Sequence, residues 1–338
     1  MASVLSPSTI PGIFVVPFKF NANRCHNIPR QRRRVTNWSE YDAALRQRGS
    51  LTVWFSEAAI AGWKAEGRTT PGGQPHYSAL AILTALSLRA VFRLALRQTE
   101  GLIGSVIGLL DLDLAVPDHT TLCRRADGLD VPCPRFDPAA GGMHLIVDST
   151  GLKFHGPGEW LIEKHGTQTR RSWRKLHIGM DAESGQIVAA ELTTNDVDDA
   201  SQVRPLLEQI ARPLVSFTAD GAYDTEDVST AVAQRHPDAA VIVPPRTNAV
   251  ESEIAQINPT QRDLHLKCIA EHGRIAWQKA SGYNRRSRVE SAIGRFKQVI
   301  GDGVRSRTDD RQDTEIAVAI RVLNRMLEFG RPESVRIA

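Results

Sequence analysis

Apolar and polar positions change rhythm once along the chain, near residue 142, and different elements are predicted on either side. From Trp38 to about Leu129 the spacing is helical. Ser39 is placed to cap a helix carrying Tyr41, Leu45, Arg46 and Arg48, and Pro71-Gly72-Gly73 marks a loop. Leu80, Leu83 and Leu86 then keep partial helical spacing, and Leu102, Val106, Leu109 and Leu110 recur at intervals of three and four. Pro117-Asp118 opens a short helix, with Asp118 as its cap and Thr120, Thr121, Arg124 and Arg125 on its early turns.

Residues 131–142 carry Pro132, Pro134, Pro138 and Gly141 and read as a linker. Beyond them the pattern is that of strands. His144–Asp148 is a short apolar run, and Trp173–Met180 alternates. Asp181-Ala182-Glu183-Ser184-Gly185 turns the chain into a third strand, Gln186–Leu192. A helix follows from Asp198 or Asp199 to about Ile210, then a strand at Leu214–Ala219, a helix at Thr225–Gln234 and a strand at Ala240–Val243. A three-strand meander followed by helix, strand, helix and strand is the order of an RNase H-like α/β domain with a five-stranded mixed sheet. The expected division is an N-terminal arm at 1–36, a mainly helical domain at 37–130, the linker, the α/β domain at 143–330 and a tail at 331–338.

Composition narrows the class. The 338 residues are 41% apolar and 24% charged, as in ordinary soluble globular proteins. The 42 basic and 38 acidic residues nearly balance at +4, so charge informs by placement. Cys25, Cys123, Cys133 and Cys268 form no C-x-x-C pair, which excludes a zinc finger and a dense disulfide framework and suits a reducing cytoplasm. The apolar run near Ile13–Phe18 is short and precedes its basic residues, unlike an export signal. Ser78–Leu96 is interrupted by Arg89 and Arg93, so it is expected to pack in a soluble core and not to span a membrane. The first 36 residues hold four prolines and the run Arg30-Gln31-Arg32-Arg33-Arg34, a basic arm that is either solvated or bound to phosphate.

The acids carry the chemistry. Asp148 ends the apolar run Leu145-Ile146-Val147, and Asp220 ends Val215-Ser216-Phe217-Thr218-Ala219. Carboxylates there are costly unless paired, hydrogen-bonded or metal-bound. On adjacent parallel strands both would project at one sheet edge, where open α/β folds place their sites. Either alone is a weak signal, because aspartate commonly begins turns and caps helices. Asp224, in Asp224-Thr225-Glu226-Asp227, reads as such a cap and is left outside the site.

The third acid lies in the stretch Tyr283–Lys297. As a helix, this stretch puts Tyr283, Arg286, Glu290 and Lys297 in a stripe roughly 60° wide. Val289, Ile293, Phe296 and Ile300 make a second, apolar stripe beside it. A lone glutamate on a basic helix is usually half of a surface ion pair. Here one face offers an acid suited to a metal and cations suited to phosphate.

Tyr283, Arg286, Glu290 and Lys297 fit a signature of tyrosine, two residues, arginine, three residues, glutamate, six residues, lysine. It resembles that of the DDE transposases of bacterial insertion sequences, specifically the insertion-sequence-five family. Val147-Asp148-Ser149-Thr150 and Asp220-Gly221-Ala222-Tyr223-Asp224 resemble the family's two aspartate motifs. Val35-Thr36-Asn37-Trp38 and Arg48-Gly49-Ser50-Leu51-Thr52 resemble its N-terminal region.

The resemblance implies that Asp148, Asp220 and Glu290 are catalytic and bind two divalent ions, Mg²⁺ or Mn²⁺ in its place. It implies hydrolysis at the element's ends and joining of the 3′-hydroxyl ends to target DNA. Tyr283, Arg286 and Lys297 would meet double-stranded DNA, within a homodimer or larger assembly. Arg124 and Arg125 sit on a helix that the residues alone favour as a solvated surface over a recognition helix; the resemblance makes residues 37–130 a DNA-binding domain and turns that reading toward DNA. Arg170, Arg171 and Arg174 belong to a run with Lys164 and Lys175 that contains no acid, expected to add affinity for phosphates. His144, His155, His165 and His177 are assigned to no metal. Rival readings are an RNase H-like nuclease that cuts without joining, a non-catalytic DNA-binding remnant, and a basic scaffold.

Overall fold

The computed structural model describes residues 32–67, 69, 71–132, 141–154 and 173–337. Ala44–Gly330 form one compact unit, and Met1–Ala43 with Arg331–Ala338 form a second.

In the small unit, β1 (Arg32–Val35) pairs antiparallel with a strand at Ser334–Ile337. The expected basic arm thus ends in a strand, and the expected tail is its partner. Both segments are only four residues long and β1 is almost wholly basic, so the pairing has too little pattern to announce it. Helix α1 (Trp38–Arg48) begins one residue before Ser39, so Ser39 is inside the helix and not its cap.

After the residues of α1 from Ala44 on, the large unit has short helices α2 (Leu51–Trp54) and α3 (Glu57–Ala61), followed by α4 (Ala79–Phe92), α5 (Leu96–Leu109) and α6 (His119–Arg125). The Ser78 hydroxyl caps α4 through the Ala81 amide at 3.0 Å. Asp118 caps α6 as expected, its carboxylate accepting from the Thr121 amide at 2.7 Å. No single helix among the described residues is long and apolar enough to cross a membrane. The apolar run breaks at Arg93, which takes a left-handed conformation (φ 54°) and turns α5 through 109° from α4.

The sheet follows: β2 (Met143–Phe154), β3 (Trp173–Asp181), β4 (Ile187–Thr194), α7 (Val203–Glu208), β5 (Leu214–Thr218), α8 (Glu226–Arg235) and β6 (Ala240–Ile242). Next come α9 (Gln261–His272), α10 (Arg274–Ala280), α11 (Ser287–Val299), β7 (Gly303–Val304) and α12 (Asp309–Glu328); the strand at Ser334–Ile337 is β8. Strand order is β4-β3-β2-β5-β6, with β2, β5 and β6 mutually parallel and β3 antiparallel to both its neighbours. The expected mixed sheet is present with six strands and not five, because β7 pairs in parallel with the far end of β2. A two-residue strand carries too little pattern to read in a sequence.

Alternation along β2 sends Leu145 and Val147 into one core, with α7 and α8, and Ile146 and Leu152 into another, with α11 and α12. Helix α12 is apolar on two faces. Ile316, Ala319, Ile320 and Leu323 pack under the sheet, while Val318, Val322 and Met326 join the core of α4, α5 and α6. The helical region and the sheet therefore share α12 within one unit, and the expected linker falls largely on residues 133–140, outside the described residues.

Candidate active site

Asp148 is not at the end of its strand as the sequence suggested, since β2 continues to Phe154. It lies instead where β2 loses a neighbour. The last residue paired with β5 is Ile146, and β7 pairs only from Lys153, so this edge is open between them among the described residues. Val147 and Ala219, the residues before the two aspartates, both enter the α7–α8 core. Asp148 and Asp220 therefore face the other side of the sheet, toward α11.

Asp220 lies two residues past the end of β5 and folds back on its own turn, its Oδ1 accepting from the Ala222 amide at 2.8 Å. Asp148 Oδ1 accepts from the Ser149 amide at 2.9 Å. Glu290 lies in the first turn of α11, whose apolar face (Val289, Ala292, Phe296) is buried on the sheet. The helix does not run from Tyr283 as expected: a tight 3-10 turn covers Tyr283–Arg286. Gly282 precedes it at φ 74°, a conformation that glycine adopts without strain.

One guanidinium joins the three acids. Arg286 Nη2 donates to Asp148 Oδ2 at 2.9 Å and lies 3.7 Å from Asp220 Oδ2, while Nη1 donates to Glu290 Oε1 at 2.7 Å. The side chains of Asp148 and Arg286 are 14% and 19% exposed, those of Asp220 and Glu290 38% and 61%. Burial pushes the Asp148 carboxyl above its ordinary range, against the pull of Arg286 and with the repulsion of Asp220 and Glu290. For Arg286 burial works the other way, but the surrounding acids and Tyr283 outweigh it and hold the guanidinium above its usual value. Three carboxylates against one fixed cation leave net negative charge in a partly dry cleft.

Oxygen donors of this kind suit a hard divalent cation. In donor chemistry the set fits, but its present geometry is spread around Arg286. Among the described residues no group of three or more acidic, histidine or cysteine side chains is gathered closely enough to form a ready-made cation site.

The remaining predicted residues separate. Tyr283 is half-buried against Trp277, ring centroids 5.4 Å apart, and Trp277 in turn meets His265 at 5.5 Å. Lys297 is two turns beyond Glu290 on the same face of α11, with no partner among the described residues. Arg124 is exposed, whereas Arg125 donates to the Tyr77 carbonyl at 3.2 Å. Arg174 pairs with Asp309 of α12. Arg170 and Arg171 lie outside the described residues.

Asp224 is not a helix cap; Thr225 caps α8 through the Val228 amide. Adjacent capping residues compete, and Asp224 is instead committed to Arg262 of α9 at 2.8 Å, with its side chain 4% exposed. It also accepts from the Arg246 amide at 2.9 Å, and the Arg246 side chain donates to the carbonyls of Gly221 and Ala222. Arg246 and Arg262 thus brace the turn that carries Asp220. Neither was singled out by sequence, because each is a lone arginine in a loop or on a polar helix. On the sheet's other face His177 is fully buried, its Nε2 2.9 Å from Thr193 Oγ1 and its Nδ1 3.5 Å from Asp199. Burial lowers its pKa to about 4, so it is neutral at pH 7.

Solved structures similar to this chain include a piggyBac transposase synaptic complex with hairpin DNA (12% identity, 88% of this chain and 77% of that one, TM-score 0.42). Others are the Drosophila P element transposase strand transfer complex (11%, 87% and 87%, 0.30) and the Mos1 mariner paired end complex with Mn (11%, 88% and 89%, 0.23). At these TM-scores none of them identifies a shared fold by itself. Two family models described as a transposase DDE domain match residues 46–157 and 139–325, the second covering more than half of the chain and all three acids. This chain belongs to the transposase DDE-domain family.

Proposed function

We propose that the chain is the transposase of an insertion sequence, of the insertion-sequence-five kind. It binds the terminal inverted repeats of its element, hydrolyses phosphodiester bonds at the ends and joins the 3′-hydroxyl ends to target DNA. The observation that carries this reading is the convergence of Asp148, Asp220 and Glu290, from β2, the β5 turn and α11, on the single guanidinium of Arg286.

Asp148, Asp220 and Glu290 would hold two Mg²⁺ ions, with Mn²⁺ a substitute. Bound there, divalent cations supply activation of water or a 3′-hydroxyl and stabilisation of the leaving oxygen. The protein's own part is positioning. The Asp220 turn is fixed by Arg246, the Asp148 backbone by its strand and the Glu290 backbone by the packing of α11, so the change needed to gather the acids falls on their side chains as they leave Arg286. Arg286, once released, and Lys297 are cations available to a DNA phosphate, and Tyr283 offers an aromatic ring held by Trp277. Arg124 on α6, and the run holding Arg170, Arg171 and Arg174, add to the proposed DNA surface, although the Asp309 pair must open before Arg174 takes part. Because two element ends are processed together, a homodimer or larger assembly on DNA in the bacterial cytoplasm is part of the proposal.

The test uses purified protein, a labelled duplex carrying the element's flanking DNA, and Mg²⁺ or Mn²⁺. Metal-dependent cutting at the repeat followed by joining to a plasmid is expected. Cutting without joining would make the chain a nuclease, and binding with neither would make it a DNA-binding remnant.

A further inference from the structure

A second arginine cluster lies away from the three acids, in a cavity of about 50 Å³ beneath the end of α4. Arg89 of α4, Arg93 just past its end, Arg305 after β7 and Arg311 of α12 line it, with Glu315 as its acid and Leu86 and Val318 among its apolar walls. Two of the arginines have structural employment. Arg93 donates to the carbonyls of Val299 and Gln298 at the end of α11, and Arg305 to those of Arg93 and Leu94 after α4. Both meet the negative ends of helices.

The other two do not close the account. Arg311 meets Asp127 at 3.3 Å through one nitrogen, and its Nε is buried without a partner. The Arg89 side chain has no hydrogen-bonded or ion-paired partner among the described residues, and its Nε is buried too. Glu315 is already engaged: its carboxylate accepts from the backbone amides of Arg305 (3.1 Å) and Ser306 (2.8 Å). Four guanidiniums therefore face two carboxylates, one of them held by backbone. Burial depresses the Arg89 pKa against the attraction of Glu315, as expected for a cation lacking a close counterion. A half-buried charge without a close counterion costs stability, and the buried Nε donors of Arg89 and Arg311 add to the cost.

We propose that this cavity binds one oxyanion of the phosphate class, supplied by a nucleic-acid backbone or by free phosphate. Unpaired arginine donors match the oxygens of such a group. The space is far below the roughly 300 Å³ of ordinary small-molecule pockets, so a nucleoside is excluded. The cavity also has a fixed relation to the acids. Glu290 lies in the first turn of α11 and Ile300, just past its end, lines the cavity, a separation of roughly 15 Å along the helix. A duplex covers that distance in about four or five base pairs. The DNA form of the proposal rests on the transposase reading; the phosphate form stands without it.

The experiment follows thermal unfolding of the full chain while sodium phosphate replaces chloride at constant ionic strength. Saturable stabilisation by phosphate is expected. Arg311→Gln should weaken the apparent phosphate affinity about tenfold, and Asp127→Asn, which frees Arg311, should strengthen it. Arg89→Met should abolish the effect if that variant folds; the other two decide the matter if it does not. Identical unfolding in phosphate and chloride, or stabilisation indifferent to both Arg311→Gln and Asp127→Asn, overturns the proposal. Duplex binding against salt then separates the sources. A log–log slope smaller by about one in Arg311→Gln assigns the site to a DNA phosphate, whereas an unchanged slope with intact phosphate stabilisation assigns it to the free anion. Absence of any duplex binding removes the transposase reading and leaves the phosphate result in force.

Discussion

The two arginine-containing clusters of the large unit are near opposites. Around Arg286, three carboxylates meet one guanidinium; around Arg89, four guanidiniums meet Glu315 and Asp127. The same side chain acts as the internal counterion in the first and as the uncompensated charge in the second. In each case the sign of the surplus matches the ligand proposed for it: a divalent cation for the acids, an oxyanion for the arginines. Asp224 and Arg262 are the balanced case, one buried acid against one arginine, and their role is to brace a turn.

The largest expected effect follows from the surplus of acid. Glu290→Gln should cut DNA cleavage by about 1,000-fold. Folding should be unaffected, since this side chain is 61% exposed. Cleavage rates beside a thermal melt check both halves; a variant that cuts normally would remove Glu290 from the chemistry. Next comes the counterion. Arg286→Met should destabilise the metal-free protein by about 2 kcal/mol, because it leaves Asp148 buried and unpaired. Added Mn²⁺ should restore part of that loss. Equal melting of wild type and variant in a chelator would show that Arg286 does not neutralise the cluster.

His177 tests the premise that burial without adequate compensation suppresses charge. Its pKa is depressed from 6.5 to about 4, so its stabilising contribution is complete above pH 6.5 and is lost as pH falls toward 4. Between pH 6.5 and 5 the loss should reach about 1.5 kcal/mol. His177→Asn should show a shallower decline, and parallel acid profiles would contradict the assignment. The smallest effect belongs to the exposed cation. Arg124→Ala should lower the salt slope of duplex binding by about one. It should leave stability within about 0.5 kcal/mol of wild type. An unchanged slope would return α6 to the reading of a solvated surface.

How much of this could be read from the chain depended on whether a feature was local. The strands, the Asp181–Gly185 turn and the apolar stripe of α11 each lie within a single run, and alternation or helical spacing exposes them. The acids stood out because a carboxylate closing an apolar run needs a partner. That the partner of all three is Arg286 required the fold, since β2, the β5 turn and α11 are far apart in sequence. The continuation of β2 past Asp148 and the pairing of β1 with β8 are likewise long-range facts. Arg89 was legible only as an interruption of an apolar helix, because nothing near it in sequence shows that α12 and the β7 loop close over it. Asp224 was misread since Thr225 is an equally good cap and the deciding partner, Arg262, is on α9.

The central claim is that Asp148, Asp220 and Glu290 act as one site. Metal-dependent cleavage and joining by Asp148→Asn, Asp220→Asn, Glu290→Gln and the Asp148→Asn/Glu290→Gln double variant tests it most directly. All three single variants should lose cutting and joining together, and the double variant should be no worse than either parent, because groups acting as a unit are not additive. A single variant that retains metal-dependent cutting, or a double variant whose losses multiply, would contradict the account.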